Sequence, residues 1–230
     1  MSKNWVLQAY HVSPDASNPY GKEAEYANVV TNSIESEDDW GGEGKGLELW
    51  VRRVEKGGNG RKMVVGMAEI SSRRDDILFG SFRIGMKMTD VPGTVGAFFF
   101  YFNDSTEIDV EILSRENSNK TVNLVIQSPQ SAAQGYASGP DFINKSLEFE
   151  PASGYNEYRF DWLPERVDFY ANGQLLTTVT RNVPRNAGKL HISHWSNGNP
   201  GWSAGPPEQD AVMVVSYVKA YFNTSSSVRS

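Results

Sequence analysis

Phe82, Ile84, Met86 and Met88 alternate with Arg83, Gly85 and Lys87, so residues 77–88 read as a strand with one core face. Strand-like runs recur at 5–10, 29–34, 47–54, 63–71, 95–102, 122–126, 158–162, 167–171, 174–180, 189–193 and 211–222. Residues 95–102 are apolar on both faces, with Phe99 and Tyr101 opposite Phe98 and Phe100, which predicts a central strand covered on each side. Asn172-Gly173 predicts a type I′ hairpin turn, and the glycine-rich 57–60 reads as the loop of a hairpin joining 47–54 to 63–71. Many short strands with no long helical period predict an all-β fold: two stacked antiparallel sheets, a β-sandwich of jelly-roll type. No repeat or linker divides the chain, so residues 1–223 are expected as a single domain and 224–230 as a disordered polar tail.

Against this background one strand is out of place. Glu107, Asp109 and Glu111 share a face, opposite Ile108, Val110 and Ile112. Like charges at two-residue spacing repel, and Asp is depleted in strands, so the pattern costs stability. Glu107 and Glu111 have Cα atoms about 13 Å apart in an extended strand. Side chains leaning toward each other bring the carboxyl groups to the ~5 to 5.5 Å used in retaining glycoside hydrolysis. An acidic solvent-facing strand and a metal site are the other readings, although one extended strand cannot wrap an ion without ligands from elsewhere. The polar link 103–105 makes this strand the hairpin partner of 95–102.

Composition narrows the partners. A net charge of -6 disfavours nucleic acid and anionic membranes, and no apolar run is long enough to span a bilayer. With no cysteine, disulfides, thiolate metal sites and cysteine nucleophiles are excluded. His11, His191 and His194 show no metal-ligand spacing, and His191 and His194 fall on opposite faces of one strand. There is no G-x-S-x-G elbow, and the glycines at 41–46 lack the phosphate-loop pattern, so they read as a plain loop. Trp195, Asn197, Asn199 and Trp202 lie in a Gly- and Pro-rich segment, 195–207. They suit either a plug for the end of the sandwich or a sugar site, where flat rings meet pyranose faces and amides take hydroxyls.

With these stretches assembled, the chain resembles glycoside hydrolase family 16, the β-glucanases and related transglycosylases on a concanavalin-like jelly roll. The resemblance rests first on Glu107 to Glu111, in the E-x-D-x-E form without an inserted residue, as on the licheninase and xyloglucan-transglycosylase side. Phe79-Gly-Ser-Phe82, the run from Pro92 to Tyr101, Val167 to Gly173 and His194-Trp-Ser-Asn-Gly198 support it, and the last third is similar to fungal members. It implies Glu107 as nucleophile, Glu111 as general acid/base, Asp109 as the residue tuning the nucleophile, and Phe99, Tyr101, Trp195 and Trp202 as cleft-lining residues. Departures are Ser105 in place of a Trp, Ser193 in place of an Asn, and Arg83 and Gly85 in place of a subsite Glu and Arg.

The resemblance further implies no required cofactor, a structural Ca²⁺ in some members, and a β-glucan polysaccharide or oligosaccharide as partner of a monomer. Four N-x-S/T sequons, at Asn103, Asn119, Asn144 and Asn223, agree with a secreted protein whose signal peptide is no longer present. The leading expectation is a retaining endo-β-glucanase acting on β-1,3/1,4-linked glucan. A cell-wall transglycosylase and a non-catalytic lectin-like module are the alternatives.

Overall fold

Strand periodicity is realised as two stacked sheets in a computed structural model that describes residues 3–31, 46–54 and 64–227. The first half contributes β1 (Trp5–Leu7), β2 (Tyr10–Val12), β3 (Gly21–Ala24), β4 (Val29–Thr31), β5 (Leu47–Val51), β6 (Val64–Ser72), β7 (Ile77–Lys87) and β8 (Val95–Asn103). The second contributes β9 (Thr106–Leu113), β10 (Thr121–Ile126), the short helix α1 (Pro129–Gln134) and β11 (Phe142–Ser146). It continues through β12 (Asn156–Leu163), β13 (Arg166–Ala171), β14 (Gln174–Val179), β15 (Lys189–Trp195) and β16 (Ala211–Thr224).

One sheet runs β11-β10-β9-β8-β15-β6-β3-β2, with β1 also on β6; the other runs β14-β13-β12-β7-β16-β5-β4. Every pairing is antiparallel except β3 with β6. Phe82, Ile84 and Met86 of β7, with Phe160 and Trp162 of β12, meet Phe98 and Phe100 of β8 and Ile108, Val110 and Ile112 of β9 in one core. Phe98 and Phe160 lie 5.3 Å apart between ring centroids, and Phe100 and Trp162 4.3 Å apart, so aromatic packing joins the sheets at their centre. His194 is a second tie: its Nδ1 is 2.8 Å from the Leu49 carbonyl on the opposite sheet and its Nε2 2.8 Å from the Thr94 hydroxyl. Burial pushes this imidazole down to about 4, so it is neutral, with Nδ1–H donating to the carbonyl and Nε2 accepting from the hydroxyl.

Several expectations change. β5 and β6 are not a hairpin: β5 pairs with β4 and β16 in one sheet and β6 with β15, β3 and β1 in the other. Alternation fixes which face of a strand is apolar, and a crossing between sheets satisfies it as well as a hairpin does. The glycines at 41–45 and 57–60 lie outside the described residues. β8 is covered on one face only, since Phe99 and Tyr101 are half-buried on the side away from the core. The start of the expected tail is ordered: β16 runs to Thr224, and the Ser225 amide donates to the Asp76 carbonyl at 2.9 Å. The turn at Asn172 and Gly173 has φ of 45° and 80°, as a type I′ turn demands, and joins β13 to β14.

Because Phe98 fills the middle of the sandwich, Phe98→Ala is expected to cost about 3 to 5 kcal/mol through cavity formation. Urea unfolding of the two proteins checks this; a midpoint unchanged from the parent contradicts the packing described.

Candidate active site

Pairing sets the floor of the site on the open face of the larger sheet. β9 lies between β8 and β10, with Glu111 opposite Ala97 and Asn123, Asp109 opposite Phe99 and Val125, and Glu107 opposite Tyr101. β15 continues the rows, placing Ser193 beside Ala97, His191 beside Phe99 and Lys189 beside Tyr101. β6 adds Glu69 beside Ser193 and Ser71 beside His191. One row therefore reads Asn123, Glu111, Ala97, Ser193, Glu69, and the next Val125, Asp109, Phe99, His191, Ser71. Small side chains at Ala97 and Ser193 leave a trough between Glu111 and Glu69, three strand spacings long, or roughly 14 Å.

Asp109 is buried, while Glu107 and Glu111 are half-buried on the cleft face. Burial pushes Glu107 up to about 8, and the charges of Glu111, Asp104 and Glu69 add to this, while a hydrogen bond from Asp109 works in the other direction. Asp109 is raised well above the usual carboxylate range, by burial and then by Glu107 and Glu111, so it carries the proton of that bond. Glu111 is pushed up to about 7 by burial, against two opposing contacts: the Trp202 indole N–H and the Lys22 ammonium. Trp202 Nε1 donates to Glu111 Oε2 at 3.0 Å. Three neighbouring carboxyl groups thus retain protons into the neutral range, with Asp109 the neutral donor.

Flanking groups are tied down. Glu69 is only 7% exposed, and its two oxygens accept from Tyr10 Oη at 2.5 Å and His191 Nδ1 at 2.8 Å. His191 in turn stacks on Phe99, with ring centroids 4.9 Å apart, and meets Tyr101 edge-on at 5.8 Å. The Tyr101 hydroxyl donates to Asp104, and burial together with that carboxylate pushes it up to about 12. The loop bearing Trp202 is anchored by Arg115, which donates to the Pro200 and Gly201 carbonyls at 2.8 and 2.9 Å. Asn197 and Asn199 both donate to Asn18 Oδ1, pinning the same loop to the N-terminal segment.

Every residue expected in the site lies on or beside this face: Glu107, Asp109 and Glu111 on β9, Phe99 and Tyr101 on β8, Trp195 at the end of β15, and Trp202 on the following loop. Ser193 also lines the floor. Arg83 and Gly85 do not, because they belong to β7 in the opposite sheet, where they pair with Arg159 and Glu157 and with Lys219 and Tyr217. The sequence reading missed Lys22, Glu69, Asn123, His191 and Arg115 as parts of the site. Asn123 was legible only through its register against Glu111. Among the described residues no group of three His, Asp or Glu is arranged to hold a metal.

Comparison with known proteins agrees with the geometry. Residues 24–217 match the family model described as glycosyl hydrolases family 16. The chain belongs to this family. Among relatives, a β-glucanase of Brevibacillus brevis is 29% identical over 147 residues, which cover 60% of this chain and 53% of that protein. A β-glucanase of Bacillus subtilis (strain 168) is 30% identical over 125 residues, covering 51% of this chain and 47% of that protein. The match thus spans about half the length of these relatives. The fold matches a Bacillus licheniformis β-glucanase structure with a TM-score of 0.74 at 21% identity, covering 97% of this chain and 94% of that one. It also matches a β-1,3-1,4-glucanase (lichenase) derived from a mouse hindgut metagenome, with a TM-score of 0.71 at 20% identity, covering 96% and 94%.

Raised carboxyl pKa values carry a stability consequence. Between the unfolded value near 4.5 and the folded value near 8, native Glu107 holds a proton that the unfolded chain has released, so stability falls as pH rises through that window. Glu107→Gln removes this loss. Its melting temperature is expected to equal the parent's near pH 4 and to exceed it increasingly up to pH 8 or 9, and thermal unfolding across that range reads the difference.

Proposed function

We propose that the chain is a retaining endo-β-glucanase that hydrolyses β-1,3/1,4-linked glucan by double displacement. The supporting observation is the single cleft face of β9, where Glu107 and Glu111 flank a protonated Asp109 beside a trough with Phe99 and His191 along one side. The family and the names of its β-glucanase relatives point to the same substrate class.

Glu107 attacks the anomeric carbon while Glu111 protonates the leaving oxygen, and water, deprotonated by Glu111, then releases the glycosyl group from Glu107. In the free cleft Glu107 sits at about 8 and Glu111 at about 7, the reverse of the order these roles require. Positive charge growing on the sugar ring during bond cleavage favours an ionised Glu107, and the Asp109 proton stabilises that anion. Trp202 donates to one oxygen of Glu111 and so leaves the other to carry the catalytic proton. A secreted setting, with cell-wall or storage glucan as substrate, fits the exposure of all four sequon asparagines.

Reducing ends should appear from lichenan and barley glucan, with the β-anomer released first in proton NMR. An absence of release from these and from laminarin would sink the proposal, and products longer than the substrate would identify a transglycosylase instead. Glu107→Gln is expected to lower kcat by several orders of magnitude. Trp202→Phe keeps the ring and removes the N–H that holds Glu111 down, so the optimum of the bell-shaped kcat/KM profile should move to higher pH. An unmoved optimum removes Trp202 from that role.

A further inference from the structure

The family motifs and the proposed mechanism leave one cleft residue without a task. Lys22, on β3, projects toward the floor with its Nζ 4.6 Å from the centre of the Trp195 ring. Its ammonium stands near Glu69 from β6 and Glu111 and Glu107 from β9, and burial lowers its proton affinity against their attraction. No hydrogen bond or salt bridge joins its ammonium to a described residue, so its three N–H donors are open to solvent or to a ligand. Glu69 does not take them, since both of its oxygens are engaged by Tyr10 and His191. Trp202 occupies one oxygen of Glu111.

A half-buried ammonium whose donors face the trough is placed to exchange water for the acceptors of a ligand. The trough offers neighbours suited to a sugar. Ala97 and Ser193 leave room, the stacked Phe99 and His191 form one side, and Trp195 lies beneath the ammonium on the other. An anionic ligand is disfavoured by Glu69, Glu107 and Glu111 around the same space. We infer that Lys22 is a substrate-binding, specificity-determining residue whose ammonium donates to ring hydroxyls of a neutral glucosyl unit lying in the trough between Glu111 and Glu69. It takes part of the Trp195 face that would otherwise be left for apolar stacking, exchanging a ring contact for directed hydrogen bonds to hydroxyls.

This inference rests on the glucanase reading, and calorimetry can separate the two. In a Glu107→Gln background, which holds substrate without turnover, the probe is a mixed-linkage glucan tetrasaccharide. Lys22→Met keeps the stem over Trp195 and removes the donors, and is expected to weaken binding about tenfold or more. Lys22→Arg, retaining charge and donors, is expected to recover most of the loss. Equal affinity of Lys22→Met and its parent background overturns the assignment while leaving the glucanase reading intact. A shift in the pH profile of otherwise active Lys22→Met with tetrasaccharide affinity unchanged also overturns it, because the lysine would then act only on the carboxylates. Failure of the Glu107→Gln parent itself to bind the tetrasaccharide defeats the glucanase reading and this inference together.

Discussion

The cost of keeping three carboxyl groups side by side and partly out of water is the constraint around which the larger sheet is built. Each would be ionised in an unfolded chain, and the folded protein accommodates them by retaining protons, through Asp109 above all. That arrangement requires fixed neighbours on both sides of β9. β8 supplies Ala97, Phe99 and Tyr101, and β10 supplies Asn123 and Val125. The large apolar core beneath Ile108, Val110 and Ile112 provides the rigidity that makes such a strained charge distribution tolerable.

Surrounding polar groups are wired in a pattern that reaches far along the chain. Glu69 is held by Tyr10 and His191, residues on two other strands. Glu111 meets Trp202 on a loop that Arg115 and Asn18 fasten from opposite sides. Such bonds orient the carboxylates without adding charge to a face that already carries too much of it. The result is a cleft whose floor is stiff, with Lys22 at its wall and the buried, unpartnered Nδ2 of Asn123 in the same row as Glu111.

Much of this was readable from residue order. The period of two placed Phe82, Ile84 and Met86 in the core and Glu107, Asp109 and Glu111 together on the opposite side of β9 from the core. What alternation does not encode is which sheet a strand joins. That is why β5 and β6 were expected as a hairpin, whereas Arg83 and Gly85 entered only as the counterparts of subsite residues in the family resemblance, which does not say which sheet a strand joins. Phe99 and Tyr101 looked like core because an aromatic meant for a sugar and one meant for a neighbouring sheet have the same hydrophobic character. Lys22 was hidden in a four-residue strand within a turn-rich segment, and its relation to Trp195 spans 173 positions that the parallel pairing of β3 with β6 helps to close.

The tight link between β8 and β9, with Asn103 facing Thr106, makes the location of the acidic face a matter of counting. Slipping β9 by one residue would turn Glu107, Asp109 and Glu111 into the space now filled by Ile108, Val110 and Ile112. Three carboxyl groups among Phe98, Phe100 and Trp162 would find no water and no donor. A chain that mispairs here would therefore fail to fold, and would not persist as a folded but inactive form. Chemistry and folding are proofread by the same register, so molecules that reach the native state carry a correctly faced cleft.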